Sequence, residues 1–442
     1  MTEQVLVVPG GRPLTGTVAV PGDKSISHRA LLLAAVAEGT SEVRGLSDGE
    51  DVARTAAAVS ALGATIDGSL ISGGPAVIRA PAGPLDMGNS GTTIRLLAGL
   101  VAGWEMTVVM SGDASLGQRP MDRVAVPLRL MGAEVHGTGE RCLPPLTVRG
   151  GGLHGIDYSP PMASAQVKSC VLLAGLNADG ETVVREGVPT RLHTEEMLAL
   201  CGADVRVEDD EGTHVVRVRR SALRPFAVDV PADPSQAAFW VVAGCIVPGS
   251  DIRMERVYVG AGRRGFLDVL RRMGGDIEEV VQSGPADLAA TATVRARYGP
   301  LRATAVEATE ITGLDEVPVL AVAAACAEGT TVFSDVGELR VKESDRLEAV
   351  VRLVGAFGGS AEVDGDDLVV HGQPALVPGI FDAGEDHRMA MAGAVAGAAA
   401  HGGEPSTISG FASVATSYPR FGDHLSELAG SGPAGSGPDG GS

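Results

Sequence analysis

The sequence predicts an α/β protein of two domains built from six repeated units. Two observations predict it: a pair of interleaved glycine turns that recur along the chain, and Ala/Leu-rich helical runs that alternate with short β-forming runs. The first turn ends a helix and enters a strand as an apolar residue, Gly, then Ala or Gly. It reads Leu62-Gly63-Ala64, Met131-Gly132-Ala133, Cys201-Gly202-Ala203, Met273-Gly274-Gly275 and Phe357-Gly358-Gly359, recurring roughly every seventy residues. The second runs in step with it at Glu38-Gly39-Thr40, Ala102-Gly103-Trp104, Asp179-Gly180-Glu181, Pro248-Gly249-Ser250, Glu328-Gly329-Thr330 and His401-Gly402-Gly403. There glycine stops a helix in the left-handed conformation and β-forming residues follow. Units of this length exceed a solenoid repeat, and dividing them over two domains leaves three per domain. The boundary candidates are two Pro-punctuated strand ends, Val20-Pro21-Gly22 and Val230-Pro231-Ala232-Asp233-Pro234.

Composition narrows the class. The chain has 442 residues, 44% of them hydrophobic but only 3% aromatic, with 61 glycines, so its cores must be built from Ala, Val, Leu and Ile. A formal net charge of -20 argues against binding nucleic acid or an anionic membrane through bulk charge, while leaving room for anionic small molecules in a local arginine cluster. Five cysteines without C-x-x-C spacing, Cys142, Cys170, Cys201, Cys245 and Cys326, read as buried small apolar residues in a reducing compartment. No secretory signal is visible at the N-terminus, and the longest apolar runs are too short for a bilayer, so a cytoplasmic protein is expected. The Gly/Ser/Pro-rich segment 429–442 has linker composition and is expected to be disordered.

In chain order, the first chemical stretch is Pro21-Gly22-Asp23-Lys24-Ser25-Ile26-Ser27-His28-Arg29, ahead of the helical run Ala30 to Glu38. It brings a lysine, hydroxyls and an arginine to a helix start, where free N–H groups and the dipole favour an anion. A plain capped start, with Ser25 or Ser27 as N-cap, has the same composition. A second nest of the same ambiguity is Gly88-Asn89-Ser90-Gly91-Thr92-Thr93-Ile94-Arg95. Arg119 follows in a loop fixed by Gly117 and Pro120, and Ser164-Ala165-Gln166-Val167-Lys168 puts a hydroxyl, an amide and a lysine at another helix mouth. Arg191-Leu192-His193-Thr194-Glu195 precedes a helix from Glu196; its His and Glu spacing is not that of a zinc helix, so no metal is expected. Acids dominate later: Asp315 and Glu316 stand before an apolar helix. The segment Arg340-Val341-Lys342-Glu343-Ser344-Asp345-Arg346 leads an amphipathic one, with i, i+4 pairing of Lys342 and Arg346 to acids, and Arg388 opens a long Ala/Gly helix after Asp386-His387. If these helix starts share a cleft, it is strongly positive, and Asp315 and Glu343 become its candidate acid and base.

Taken together and in this order, these motifs resemble the 3-phosphoshikimate 1-carboxyvinyltransferase (5-enolpyruvylshikimate-3-phosphate synthase) family from about Val5 to Leu428, in the form called class II. The resemblance implies an inside-out α/β barrel fold with six βαβαββ-type repeats. Domain I is expected from 1–21 plus 233–428 and domain II from 22–232, with no cofactor. It implies a soluble, cytoplasmic, monomeric enzyme that moves the enolpyruvyl group of phosphoenolpyruvate to the 5-hydroxyl of shikimate 3-phosphate and releases phosphate. Carried over, Lys24, Ser25, Arg29, Ser164, Ala165, Gln166, Arg191, Asp315 and Lys342 should hold shikimate 3-phosphate. Lys24, Gly91, Arg119, Gln166, Arg346 and Arg388 should hold phosphoenolpyruvate, with Lys24, Asp315 and Glu343 catalytic.

Departures and rivals remain visible. Thr416 stands where many members carry a lysine, and Gly91 with Leu96 leaves the response to glyphosate open, with a lean towards reduced sensitivity. The sister enzyme acting on UDP-N-acetylglucosamine would carry a reactive cysteine in the loop Ala114 to Pro120, which has none. A nucleotide-binding P-loop fails at Gly22-Asp23-Lys24-Ser25 because Asp23 separates Gly from Lys. A paralogue acting on another hydroxylated acid is compatible with the same motifs. A non-catalytic protein on the same repeat would have little need to keep Lys24, Arg119, Asp315 and Glu343 together.

Overall fold

The computed structural model describes residues 4–282, 288 and 290–430. Twelve α-helices run through the described residues: α1 (Lys24–Val36), α2 (Glu50–Ala61), α3 (Gly91–Ala102), α4 (Asp122–Leu130), α5 (Ala165–Gly175), α6 (His193–Leu200), α7 (Pro234–Ile246), α8 (Gly265–Arg272), α9 (Val317–Ala325), α10 (Arg346–Ala356), α11 (His387–Ala399) and α12 (Phe421–Gly430). Odd and even helices differ in kind. Every residue of α7, α9 and α11 is buried, and α1, α3 and α5 are buried almost throughout, because Ala, Gly, Val and Leu surround them on all sides. The even helices bury one stripe and, α6 apart, expose charge on the other, as α10 does with Leu347, Val350, Leu353 and Val354 inward. Helices inside and sheets outside follow from this sorting.

Among the described residues five of the six sheets repeat one four-stranded plan, and the sixth, which holds the N-terminal strand, has three strands. In the second unit Leu85–Asp86 lies parallel to Thr107–Ser111, which pairs antiparallel with Leu143–Arg149, itself paired with Glu134–Thr138. The third and fifth units have the same order with their own strands. Three units borrow strands from afar. Gly39–Arg44 takes its parallel neighbour from Ala227–Asp229, Asp251–Tyr258 takes Thr15–Val18, and Ser406–Ser409 pairs with the N-terminal strand Leu6–Val8. The borrowing is what makes the chain cross over twice, and the two crossings lie side by side: Asp23 N–H donates to Pro231 C=O at 2.7 Å and Asp233 N–H to Pro21 C=O at 2.9 Å.

Two apolar cores result. One joins Val8, Leu14 and Val18 to residues from 232 to 428, and the other spans residues 26 to 230 with Tyr258 reaching in. Glycine permits the tightest contact between interior helices: a Cβ on Gly99 of α3 would lie 2.2 Å from the Cys170 carbonyl oxygen of α5. Of the cysteines, Cys142, Cys170, Cys201 and Cys245 are buried, whereas Cys326 is half-buried at the end of α9. The disorder expected from residue 429 does not hold at its first two positions. Ala429 and Gly430 continue α12, whose Phe421, Leu425 and Leu428 dock on the core, and 431–442 lie outside the described residues.

Candidate active site

The interior helices bring their N-termini to the boundary between the two cores. The start of α1 lies earlier than the run Ala30 to Glu38: Asp23 is its N-cap, accepting from Ile26 N–H at 2.9 Å, while Ser27 turns inward and accepts from Ser47 N–H. Lys24 and Ser25 therefore occupy the first turn. Lys24 Nζ pairs with Asp51 of α2 at 2.8 Å, and Ser25 Oγ accepts from Arg191 at 3.3 Å. Arg29, one turn on, is buried and donates to Thr194 Oγ1, the Ser25 carbonyl and Ser169 Oγ. Burial lowers its pKa to about 10, which still leaves it charged at neutral pH. Ser169 in turn donates to the Ala165 carbonyl.

The second and third units form a joined mouth. Ser90 and Ser164 cap α3 and α5 through Thr93 and Val167 N–H. Gln166 accepts from Arg95 at 2.8 Å and donates to Thr92 at 3.0 Å, locking the two helix starts together. A Cβ on Gly91 would sit 2.8 Å from Arg95 Nη1 and 3.2 Å from Arg119 Nη1, so glycine here makes room for guanidiniums. Arg119 donates to Asn89 and Ser115.

Across the boundary the acids answer these cations. Asp315 follows Gly313 and Leu314, both at positive φ, which aim its carboxylate at Arg191 (2.5 Å), Arg346 (3.4 Å) and Arg388 (3.5 Å). Glu343 lies 2.5 Å from Arg346 and 3.7 Å from Arg119. Arg346, fully buried, also pairs with Asp386, the N-cap of α11, at 2.8 Å, and Arg388 donates to the Asp315 carbonyl. Burial pushes the Asp315 carboxyl up, but Arg388 and Arg191, with Lys342 and Arg346 behind them, hold it well below the ordinary range. Burial acts the same way on Glu343, and Arg346 and Arg119 overcome it. Both are ionised at neutral pH, and Asp315 is a weak base while those guanidiniums face it.

The sequence expectations are thus brought together unevenly. Ser25, Arg191, Asp315, Arg346, Glu343, Arg119 and Arg388 form one bonded chain between the halves, and Gly91 and Gln166 border it. Lys24 is turned to Asp51, and Ser164 serves its own helix. The expected i, i+4 pairing holds for Lys342, which reaches back to Glu338 at 3.0 Å, whereas Arg346 pairs at i, i+3 with Glu343. Lys168 is not at the mouth of α5 but fully buried, 2.8 Å from Glu186 and 2.7 Å from Glu195. Glu186, Glu195 and His214 have the spacing of a metal site, and the Lys168 ammonium already supplies a cation between the two carboxylates. Three residues went unassigned in the sequence: Asp51, Arg95 and Arg263. Arg263 had a readable signal, a glycine on either side at Gly262 and Gly265, much as Gly117 and Pro120 flank Arg119.

Comparison with known proteins places this geometry in context. A family model described as EPSP synthase (3-phosphoshikimate 1-carboxyvinyltransferase) matches residues 8–425. The 3-phosphoshikimate 1-carboxyvinyltransferase of Streptococcus uberis is 44% identical over 423 residues, covering 94% of this chain and 97% of that protein. The one from Alkalilimnicola ehrlichii is 47% identical over 428 residues, covering 94% and 93%. The solved EPSP synthase of Acinetobacter baumannii superposes with a TM-score of 0.84 at 39% identity, covering 97% of this chain and 98% of that one. The enolpyruvyl transferase NikO of Streptomyces tendae, at 22% identity and a TM-score of 0.76, shares the fold over 96% of this chain and 98% of its own.

Proposed function

The chain belongs to the EPSP synthase family and transfers the enolpyruvyl group of phosphoenolpyruvate to the 5-hydroxyl of shikimate 3-phosphate with release of phosphate, and we propose that the Arg191-Asp315-Arg346-Glu343-Arg119 chain marks where it does so. That chain carries the reading, because it places cations and carboxylates from both halves against one another where two anionic substrates must meet.

Shikimate 3-phosphate is held by Lys24, Ser25, Arg29, Ser164, Ala165, Gln166, Arg191, Asp315 and Lys342. Phosphoenolpyruvate is held by Lys24, Gly91, Arg119, Gln166, Arg346 and Arg388. In this reading the substrates displace internal partners. Their phosphates and carboxylates take over Arg191, Arg119, Arg346 and Arg388, and each guanidinium so neutralised withdraws positive field from Asp315 and Glu343. Their pKa values rise as a result, which turns Asp315 into a useful base and allows Glu343 to carry a proton. The 5-hydroxyl oxygen then bonds to C2 of phosphoenolpyruvate as Asp315 takes its proton and C3 gains one from Glu343. In the second half C3 returns a proton, the C2–O bond to phosphate breaks, and phosphate leaves with the balancing proton. Lys24, released from Asp51, and the arginines stabilise the charge on the leaving group.

The division into domain I (1–21 plus 233–428) and domain II (22–232) is proposed on the two separate cores and the paired crossings. A monomer is proposed because one chain supplies both faces of the cluster, and a reducing, cytoplasmic setting because the five cysteines are unpaired. Among the described residues no helix is long and apolar enough to cross a membrane. Phosphate release from purified protein, shikimate 3-phosphate and phosphoenolpyruvate, with each substrate omitted in turn, tests the function. Release that needs both, with the enolpyruvyl product detected by mass, supports it, and no turnover from folded protein overturns it.

A further inference from the structure

Where the chain makes its two crossings, one buried guanidinium faces three carboxylates. Arg263, just before α8, places Nη2 at 3.1 Å from Asp23 Oδ2, 3.1 Å from Asp233 Oδ1 and 3.1 Å from Ser235 Oγ, and Nη1 at 3.8 Å from Glu316 Oε1. Asp23 caps α1 and Asp233 caps α7, so the arginine ties together the first turns of two interior helices from opposite cores. Asp233 does more than cap its own helix: its Oδ2 accepts from the Lys24 backbone N–H at 3.0 Å. Glu316 accepts from Ser235 and is the chain neighbour of Asp315. All four charged side chains are nearly inaccessible to water. Without the guanidinium, three buried carboxylates would repel one another across the junction, the situation in which losing one member of a buried charge set costs most.

We propose that Arg263 is a positioning residue for the reaction: by holding Asp23, Asp233 and Glu316 in one clamp it sets the placement of Lys24 from one core relative to Asp315 from the other. The inference rests on the roles given above to Lys24 and Asp315. It does not require Arg263 to touch substrate. Its specific content is a charge placed by geometry: the planar fork lies among three buried carboxylates, and both its charge and its reach to Asp23, Asp233 and Ser235 are needed to hold the junction.

The test compares wild type, Arg263→Gln, Arg263→Lys and the double variant Arg263→Gln/Asp233→Asn in steady-state turnover, with urea unfolding of each. Arg263→Gln is expected to lose about 100-fold in kcat/KM, the scale of an ångström of misplacement. The double variant, which removes one carboxylate along with the cation, is expected to regain at least about tenfold of that loss, a non-additivity that mere loss of packing does not produce. If Arg263→Gln does not fold, Arg263→Lys decides: it keeps the charge without the fork, and the clamp predicts at least about a tenfold loss in kcat/KM at an unchanged urea midpoint. Wild-type kinetics in a folded Arg263→Gln or in Arg263→Lys, or a double variant no better than the single, overturns the proposal. Lys24→Ala run alongside separates the failures. Activity unaffected there sinks the role of Lys24 itself, whereas a crippled Lys24→Ala beside an unaffected Arg263→Gln sinks the clamp alone.

Discussion

Replacing Glu343 by Gln should move substrate affinity and turnover in opposite directions. The carboxylate sits 3.7 Å from Arg119 and 2.5 Å from Arg346, two cations proposed to receive phosphoenolpyruvate, and only 26% of its side chain is exposed. At an effective dielectric constant near 20, the Arg119 pair alone amounts to about 4 kcal/mol of gross attraction, of which about 1 kcal/mol survives desolvation and ordering. Phosphoenolpyruvate must displace that contact, so removing the charge should tighten its Kd about fivefold. Turnover should fall roughly 10²- to 10⁴-fold, because the group proposed to exchange the C3 proton is gone. A low kcat with an unchanged or lower KM is the signature of an interaction needed in the transition state and not in the ground state. Isotope exchange adds an independent readout. Reversible addition makes C3 a methyl group, and elimination in the reverse direction in deuterium oxide returns phosphoenolpyruvate carrying deuterium at C3. Wild type should incorporate it and Glu343→Gln should not. Near-normal turnover, or deuterium uptake at the wild-type rate, would refute the assignment of Glu343 to the C3 proton.

Other perturbations test the same structure. Arg191→Met should raise KM for shikimate 3-phosphate at least about tenfold, the worth of a charge-assisted contact of about 1.5 kcal/mol or more, and KM for phosphoenolpyruvate much less; equal effects on both would argue against the division of the site. His387 is buried beside Lys24 and Arg388, and burial first, then those charges, lower its pKa from 6.5 to about 3. Since the unfolded imidazole binds a proton that the folded one refuses, its contribution to stability is present above pH 6.5 and is lost as pH falls towards 3. Between pH 8 and 5.5 wild type should therefore lose about 1.4 kcal/mol more than His387→Gln, read from urea unfolding at each pH. Glu196, raised to about 7 chiefly by burial, shifts stability the other way in this window but does so in both proteins, so the difference isolates the histidine. Gly99→Ala should cost roughly 1–3 kcal/mol, because its methyl group would lie 2.2 Å from the Cys170 carbonyl and neither helix backbone can move freely; an unchanged unfolding midpoint would contradict that packing.

What the sequence discloses and what it hides divide along a physical line. Local chemistry is legible: a cap, a glycine turn or a cation at a helix start is written within a few adjacent residues, so the glycine turns and the helix mouths near Lys24, Gly91, Ala165 and Arg388 could be read from spacing and residue type. Strands of two or three residues, such as Leu85–Asp86, Asp157–Tyr158 and Ala227–Asp229, carry too little pattern for a period to show, and so the borrowing between distant units is invisible without the fold. The same holds for long-range charge pairing. Arg191 and Asp315 are separated by 124 positions, and Arg263 and Asp23 by 240, and nothing in either neighbourhood specifies the partner. Lys168 shows the cost of reading locally: beside Gln166 it resembles a ligand for an anion, yet the pitch of α5 turns it inward to Glu186 and Glu195. A cation near a helix start is thus ambiguous until its direction is known. Here the direction is set by the fold: Lys24 and Ser25 in the first turn of α1 and His387 and Arg388 of α11 lie at the boundary, and Arg29 and Arg95, one turn on, reach back to the first turns of their own helices. Lys168, equally deep in α5, points instead to its two carboxylates and belongs to the core.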